Sequence, residues 1–423
     1  MITDSVGEIQ GPYGPVQVTE RFLQLIWLHR RYSGELLKTD GGAPIRIIDP
    51  GEWNHLEGPD FRRGRWEVDG REVTGDVEIH FYPEDWYRHG HERDPAFDSV
   101  ALHVTLFPPE PGGRPVRTAA GAELPGLSLL SFLEADLESL AEEEGLLQLE
   151  SRDEADWERR LLEENLETQL EQLRKGARRR WLRKVTVAAR RLDHLGWEGA
   201  LHASTLEVLG YSRNRAPMLK VARHFPFHTI ASGGVSLETL FQSGQPDWST
   251  GGVRPANHPR RRLEQYCRMV TGRPEWANTV LLWAEGFRTP VSAAEETDLF
   301  GTSRFRKQQR LGAMRGTLEK ELLRCQIGGS RLSAWITDAL FPLWAARAGL
   351  DCFPLWHHWY TGDYPDALMQ VYRRLGGSGG QPPVQCTGWL QGLLAMVIEG
   401  DAGYVQLEFT DLPEGFSGDG MER

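Results

Sequence analysis

The chain reads as an α+β protein: a mixed-sheet domain with flanking helices over residues 1–126, then a larger, mostly α-helical domain over residues 127–423. Three observations predict this. Apolar residues alternate with polar ones in several short runs before residue 107, whereas beyond Leu127 the pattern changes to long charged stretches of helical spacing. Asp69-Gly70 sits between two alternating runs and is a strong hairpin signal. With 40% hydrophobic residues and 15 Trp in 423 residues, the chain has the apolar content to bury a core in each part.

The elements follow in order. Thr19 to Tyr32 (TERFLQLIWLHRRY) places Phe22, Leu23, Ile26 and Trp27 on one helical face, with Thr19 at the N-cap and basic residues at the end. Pro44 to Gly51 (PIRIIDPG) is a β-branched run stopped by Pro-Gly. FRRGRWEVDGREVTGDVEIHFY then reads as two strands, and Asp98 to Phe107 adds a strand with Val100, Leu102, Val104 and Leu106 on one side. The segments LLSFLEADLESLAEEEGLLQLE and RDEADWERRLLEENLETQLEQL are acidic helices, and RKGARRRWLRK (Arg174 to Lys184) continues them with the opposite charge. RLGGSGGQPP (Arg374 to Pro383) reads as a flexible linker, and the Gly-rich tail after Leu412 as frayed.

Composition excludes several classes of function. Four scattered cysteines without a CxxC pair argue against a zinc ribbon or a disulfide scaffold. No segment has the length of a membrane span, and MITDSVGEIQ lacks the basic and apolar regions of a signal peptide, so a cytoplasmic protein with no membrane partner is expected. A net charge of -12 argues against wholesale attraction to nucleic acid and leaves only local basic segments for that role. Walker-type, dinucleotide-binding, GxSxG and HExxH motifs are all absent.

The chemistry concentrates on the hairpin. Val77, Ile79 and Phe81 alternate with Asp76, Glu78 and His80, which puts two carboxylates and an imidazole on one face. Such carboxylates suit Mg²⁺ or Mn²⁺, and an adjacent imidazole can ligate the metal or take a proton from its water. A strict two-residue turn at Asp69-Gly70 would pair position 60 with position 79 and put Asp60 on the apolar face. A bulge, at Gly75 or in a longer turn, would shift the register by one and bring Asp60 opposite Glu78 or His80.

Asp85, His89, His91, Asp94, Asp98 and His103 crowd the segment that follows. At this density they can build a second metal site or supply a general acid, with His89 and His91 the preferred pair. The alternative is a polar loop whose side chains bond their own backbone. In the second half, Arg178, Arg179, Arg180, Arg183 and Lys184, with Arg254, Asn257 and Arg260 of VRPANHPRRR, have the density to follow a phosphate backbone. They could equally pair with neighbouring acidic helices or brace a helix start at Pro259.

Pro59-Asp60 before one strand and Glu78-Ile79-His80 on the next, behind a helix and a first strand, resemble the core of the PD-(D/E)XK nuclease superfamily. The resemblance implies metal ligation by Asp60, Glu78 and the Ile79 carbonyl, a weaker contribution from Glu20 of the first helix, and His80 in the place of the usual water-activating lysine. GPDF, VEIH, DW, HxH and LHV, together with LGYSRNRAP, RPANHP and QGLL, also resemble an uncharacterised bacterial family known only as a domain of unknown function. The resulting expectation is a Mg²⁺- or Mn²⁺-dependent nuclease acting on nucleic acid. Its rivals are a non-catalytic nucleic-acid-binding or scaffold protein on the same fold, and a small-molecule metal hydrolase using the His/Asp cluster.

Overall fold

A computed structural model describes residues 6–11, 14–32, 37–135, 137–151, 156–211, 214–245, 248–251, 255–286, 301–376, 381–400 and 405–406. The chain forms two compact units, one built mainly of residues 16–141 and the other mainly of residues 142–402. Arg254, the centre of the Gly-rich linker and the tail beyond Gln406 lie outside the described residues.

In the first unit, strands β1 (Val6–Gly11) and β2 (Gly14–Thr19) lead into helix α1 (Glu20–Leu28). This helix buries Phe22, Leu23, Ile26 and Trp27 as the spacing predicts, and it stops at Leu28 because Arg30 turns into a left-handed conformation, so the basic residues at the end of the segment lie beyond it. Strands β3 (Ile45–Asp49), β4 (Glu52–Trp53), β5 (Phe61–Val68) and β6 (Arg71–His80) follow. After a short helix α2 (Asp85–Arg88) come β7 (Val100–Thr105) and β8 (Gly126–Ser128).

The sheet order is β3-β5-β6-β7-β8, with β4 paired to β5. β3, β5 and β6 are antiparallel neighbours, and β7 and β8 run parallel to β6. The topology is therefore a helix, an antiparallel meander, a crossover and a strand parallel to the last of the meander. Asp69 and Gly70 both take positive φ and close the hairpin in two residues, as the Asp-Gly pair predicts.

The second unit is helical. Helix α3 (Leu137–Ser151) leads into it along the chain, followed by α4 (Asp156–Glu163) and the long α5 (Leu166–Leu209), which bends at Gly196, where φ is positive. Asn165 caps α5 by accepting from the Thr168 N–H. Trp181 on α5 is buried, donates to Asp351 and packs on Trp356, so it belongs to the core. Helix α6 (Phe353–His357) and helix α7 (Thr387–Glu399) complete the elements used below. No helix among the described residues is long and apolar enough to cross a membrane.

Candidate metal and catalytic site

The hairpin register decides the site. From Val68↔Arg71 to Gly64↔Gly75 the pairing follows the two-residue turn, and between Gly64 and Phe61 it slips by one residue, so Phe61 faces Val77. The slip is a bulge at Arg62–Arg63, with Arg63 in the left-handed region. Asp76 holds it: one carboxylate oxygen accepts from the Arg63 N–H at 2.9 Å and the other from Ser99 Oγ at 2.6 Å. The irregularity that a meeting of Asp60 and Glu78 requires thus exists, on β5 rather than at Gly75. Gly75 has another role, since a Cβ there would lie 2.3 Å from that of Ala101, where β7 carries an extra residue against β6.

The shifted register brings Asp60 onto Glu78. The Asp60 N–H donates to Glu78 Oε2 at 3.0 Å, and Asp60 Oδ2 accepts from the Ile79 N–H at 3.0 Å. Gln24 of α1 donates to Asp60 Oδ1 at 2.7 Å and accepts from Trp53 Nε1, tying the helix to the pair. Gln24 escaped sequence reasoning because only the packing of α1 on the sheet reveals it. Glu20 opens α1 close enough to raise the Glu78 pKa by repulsion. The Ile79 group seen in this network is its N–H.

Glu78 turns its other oxygen toward the histidines. Oε1 lies 3.3 Å from His91 Nε2 and 3.7 Å from His80 Nε2. His80 Nε2 is 3.1 Å from His89 Nδ1, and His80 Nδ1 is 2.8 Å from His103 Nε2 on the neighbouring strand. One ring nitrogen from each of His80, His89 and His91 falls within 4.8 Å of the others, so the three could hold a metal ion. His80 is buried, His91 half-buried and His89 exposed, so the cluster runs from the sheet interior to the surface. His103, which the sequence places in the same group on an otherwise apolar strand, is buried, and its contact orients His80 from behind. Trp86, fully buried, packs edge-on against His91 and His103.

The remaining acids of the segment have structural partners. Asp85 accepts from the Tyr82 N–H and pairs with Arg88, Asp94 caps Ala96, and Asp98 accepts from the Ala120 N–H.

Burial sets the electrostatics. It pushes Asp60 well above the usual carboxylate range, helped by repulsion from Glu78, and raises Glu78 to about 8. It holds His80 well below the ordinary imidazole value and brings His91 to about 4 and His103 to about 3. The imidazoles are therefore neutral at physiological pH, which is the form that ligates metals. Among the described residues the buried His91 Nε2 has no hydrogen-bond partner, although Glu78 Oε1 is near. A divalent cation would satisfy that nitrogen and remove the repulsion between the carboxylates together.

The basic residues of the second unit are placed differently. Arg178 pairs with Asp351, Arg179 makes a two-pronged bond to Glu399 at 2.9 and 2.7 Å, and Lys184 pairs with Asp338 at 3.0 Å. Arg180 bonds Gln391 and Glu142, and Arg183 is buried. Asn257 accepts from Arg262, and Arg260 reaches Glu238 at 3.2 Å across an exposed surface.

A family model described as a protein of unknown function (DUF2851) matches residues 20–241, and the chain belongs to this family. No curated protein and no solved structure matches it.

Proposed function

We propose that this DUF2851 protein is a metal-dependent phosphodiester hydrolase acting on nucleic acid, with its catalytic centre on the β5–β6 hairpin. The observation that carries the reading is the bulge-set junction of Asp60, Glu78 and Ile79 beside three neutral imidazoles. Two features of the unit support it: Asp60 and Glu78 meet on adjacent strands, and the helix, meander, crossover and parallel strand follow the order expected of a PD-(D/E)XK-like core.

In this reading Glu78, His80, His89 and His91 hold the cation. Asp60 fixes Glu78 through its backbone N–H and adds a second negative charge. His103 orients His80, the residue in the lysine position. A mixed carboxylate and imidazole set favours Mn²⁺ over Mg²⁺, which prefers oxygen alone. A bound divalent ion supplies Lewis-acid polarisation of a phosphoryl oxygen and lowers the pKa of its water. His89, at the exposed edge, marks the side on which the cluster meets solvent. Arg62, Arg88 and Arg93, exposed on the same unit and close in sequence to the site residues, are candidates for phosphate contacts.

A second reading, a metal hydrolase of small molecules, is favoured by one observation: Arg178, Arg179 and Arg180 of α5 are already engaged by acidic or amide side chains. Cleavage of labelled single- and double-stranded DNA and RNA, and of a chromogenic phosphodiester, with Mn²⁺, Mg²⁺ or Zn²⁺ separates the two. Nucleic-acid cutting that is lost in Asp60→Asn, Glu78→Gln and His91→Ala supports the first reading. Turnover of the small ester alone supports the second, and a folded, metal-loaded wild type that cleaves nothing refutes both.

A further inference from the structure

The second unit holds another donor cluster, made from residues far apart in sequence. Helix α6 starts with Pro354 in its first turn and ends at His357, with His358 as its C-cap. Cys386 is the N-cap of α7. His357 is 4% exposed, His358 3% and Cys386 0%, and one donor atom from each lies within 4.8 Å of the others.

Three buried polar donors are costly unless each is satisfied. The ordinary explanation, a pair of core histidines with hydrogen-bond partners, accounts for only part of the cluster. His358 Nδ1 meets Thr302 Oγ1 at 3.0 Å. His357 Nδ1 is buried and has no hydrogen-bond partner among the described residues. Its ring rests where α7 begins, and a Cβ on Gly388 would lie 1.9 Å from Nδ1, so glycine is required for the approach.

We propose that His357, His358 and Cys386 form a second metal site that takes Zn²⁺. One thiolate and two imidazoles are the donors that zinc selects and that Mg²⁺ and Ca²⁺ avoid. Coordination releases the Cys386 thiol proton to solvent, which leaves a thiolate against the ion. The three protein donors leave one position of a tetrahedral ion for a water.

The surroundings are arranged as a support for the donors. Arg306 donates to the carbonyls of His358 at 2.8 Å, Trp359 at 3.1 Å and Gln385 at 2.8 Å, holding the two donor-bearing segments together. The Thr387 N–H donates to the Trp359 carbonyl at 3.0 Å. Thr302 bonds His358 and also reaches the Cys386 side chain, as an outer partner that orients both. Burial raises the Cys386 thiol to about 11 even though the backbone at Trp389 and the positive charge of Arg306 pull it down, so both favour the thiolate. Burial also keeps His357 neutral. This site is independent of the hairpin centre: its donors include sulfur, and those of the hairpin do not.

That difference supplies the test. The full chain is stripped with a chelator and titrated with Co²⁺. The expected result is a near-ultraviolet sulfur-to-cobalt charge-transfer band that Zn²⁺ abolishes, that Cys386→Ser lacks and that Cys325→Ser and His91→Ala keep. His357→Gln should weaken the affinity read from the band by about 10-fold or more. A folded wild type that binds Co²⁺ without the band, or a Cys386→Ser variant that retains it, would overturn the proposal. Should Cys386→Ser fail to fold, an affinity loss in His357→Gln that Cys325→Ser does not share decides the matter.

Discussion

Replacing Glu78 by glutamine should stabilise the metal-free protein while abolishing metal binding at the hairpin. The wild-type carboxyl titrates near 4.5 in the unfolded chain and at about 8 when folded. Its folded pKa is raised, so the stability contributed by its protonated form is fully present below 4.5 and is lost as pH rises through about 8. Each pH unit in that window costs about 1.4 kcal/mol, so at about pH 7 the wild type has lost about 3 kcal/mol. A glutamine at this position would not titrate, and its side-chain oxygen would still accept from the Asp60 N–H. Urea unfolding of chelator-treated protein, with pulsed hydrogen exchange identifying the transition that opens β6, measures the difference. We expect the variant to exceed wild type by about 3 kcal/mol near pH 7 and the gap to close below about pH 4.5. Saturating Mn²⁺ should stabilise the wild type and leave the variant unchanged. A gap independent of pH, or equal stabilisation of both by Mn²⁺, would refute the reasoning.

Asp76→Ala removes the acceptor for Arg63 N–H and Ser99 Oγ and should cost about 1–2 kcal/mol by thermal unfolding. Because the bulge also sets the meeting of Asp60 and Glu78, Mn²⁺ affinity measured by calorimetry should fall in the same variant. Gly392→Ala puts a Cβ 2.2 Å from the Leu173 carbonyl and should lower stability by about 3 kcal/mol. Gly316→Ala meets nothing within 4 Å and should raise stability by about 0.5–1 kcal/mol. Arg179→Ala, which breaks the two-pronged bond to Glu399, should cost about 1 kcal/mol and leave the affinity for DNA or RNA in filter binding unchanged. A large affinity loss in that variant, absent in Glu399→Ala, would show that Arg179 meets phosphate instead.

Local chemistry is legible in the sequence itself. Asp69-Gly70 specifies its turn because both residues tolerate positive φ, and the apolar spacing of Phe22, Leu23, Ile26 and Trp27 marks the face that α1 buries. The alternation through Val77 and Ile79 likewise aims Glu78 and His80 to one side, and the turn shows that Asp60 can join them only if the register slips. Where the slip falls cannot, because it depends on Arg63 taking a left-handed conformation under the hold of Asp76. Gln24 meeting Asp60, His103 backing His80 and Cys386 joining His357 are contacts between elements whose separation along the chain carries no local signature. The arginines of α5 show the same division. Their charge density is plain in the sequence, yet whether they face phosphate or protein depends on Asp351 and Glu399, which lie far along the chain and come alongside only when the helices pack. Turn geometry and helix faces follow from neighbouring residues, whereas the partner of a charge follows from the fold, since a buried ion requires a counter-charge within a few ångströms and only tertiary packing can deliver one.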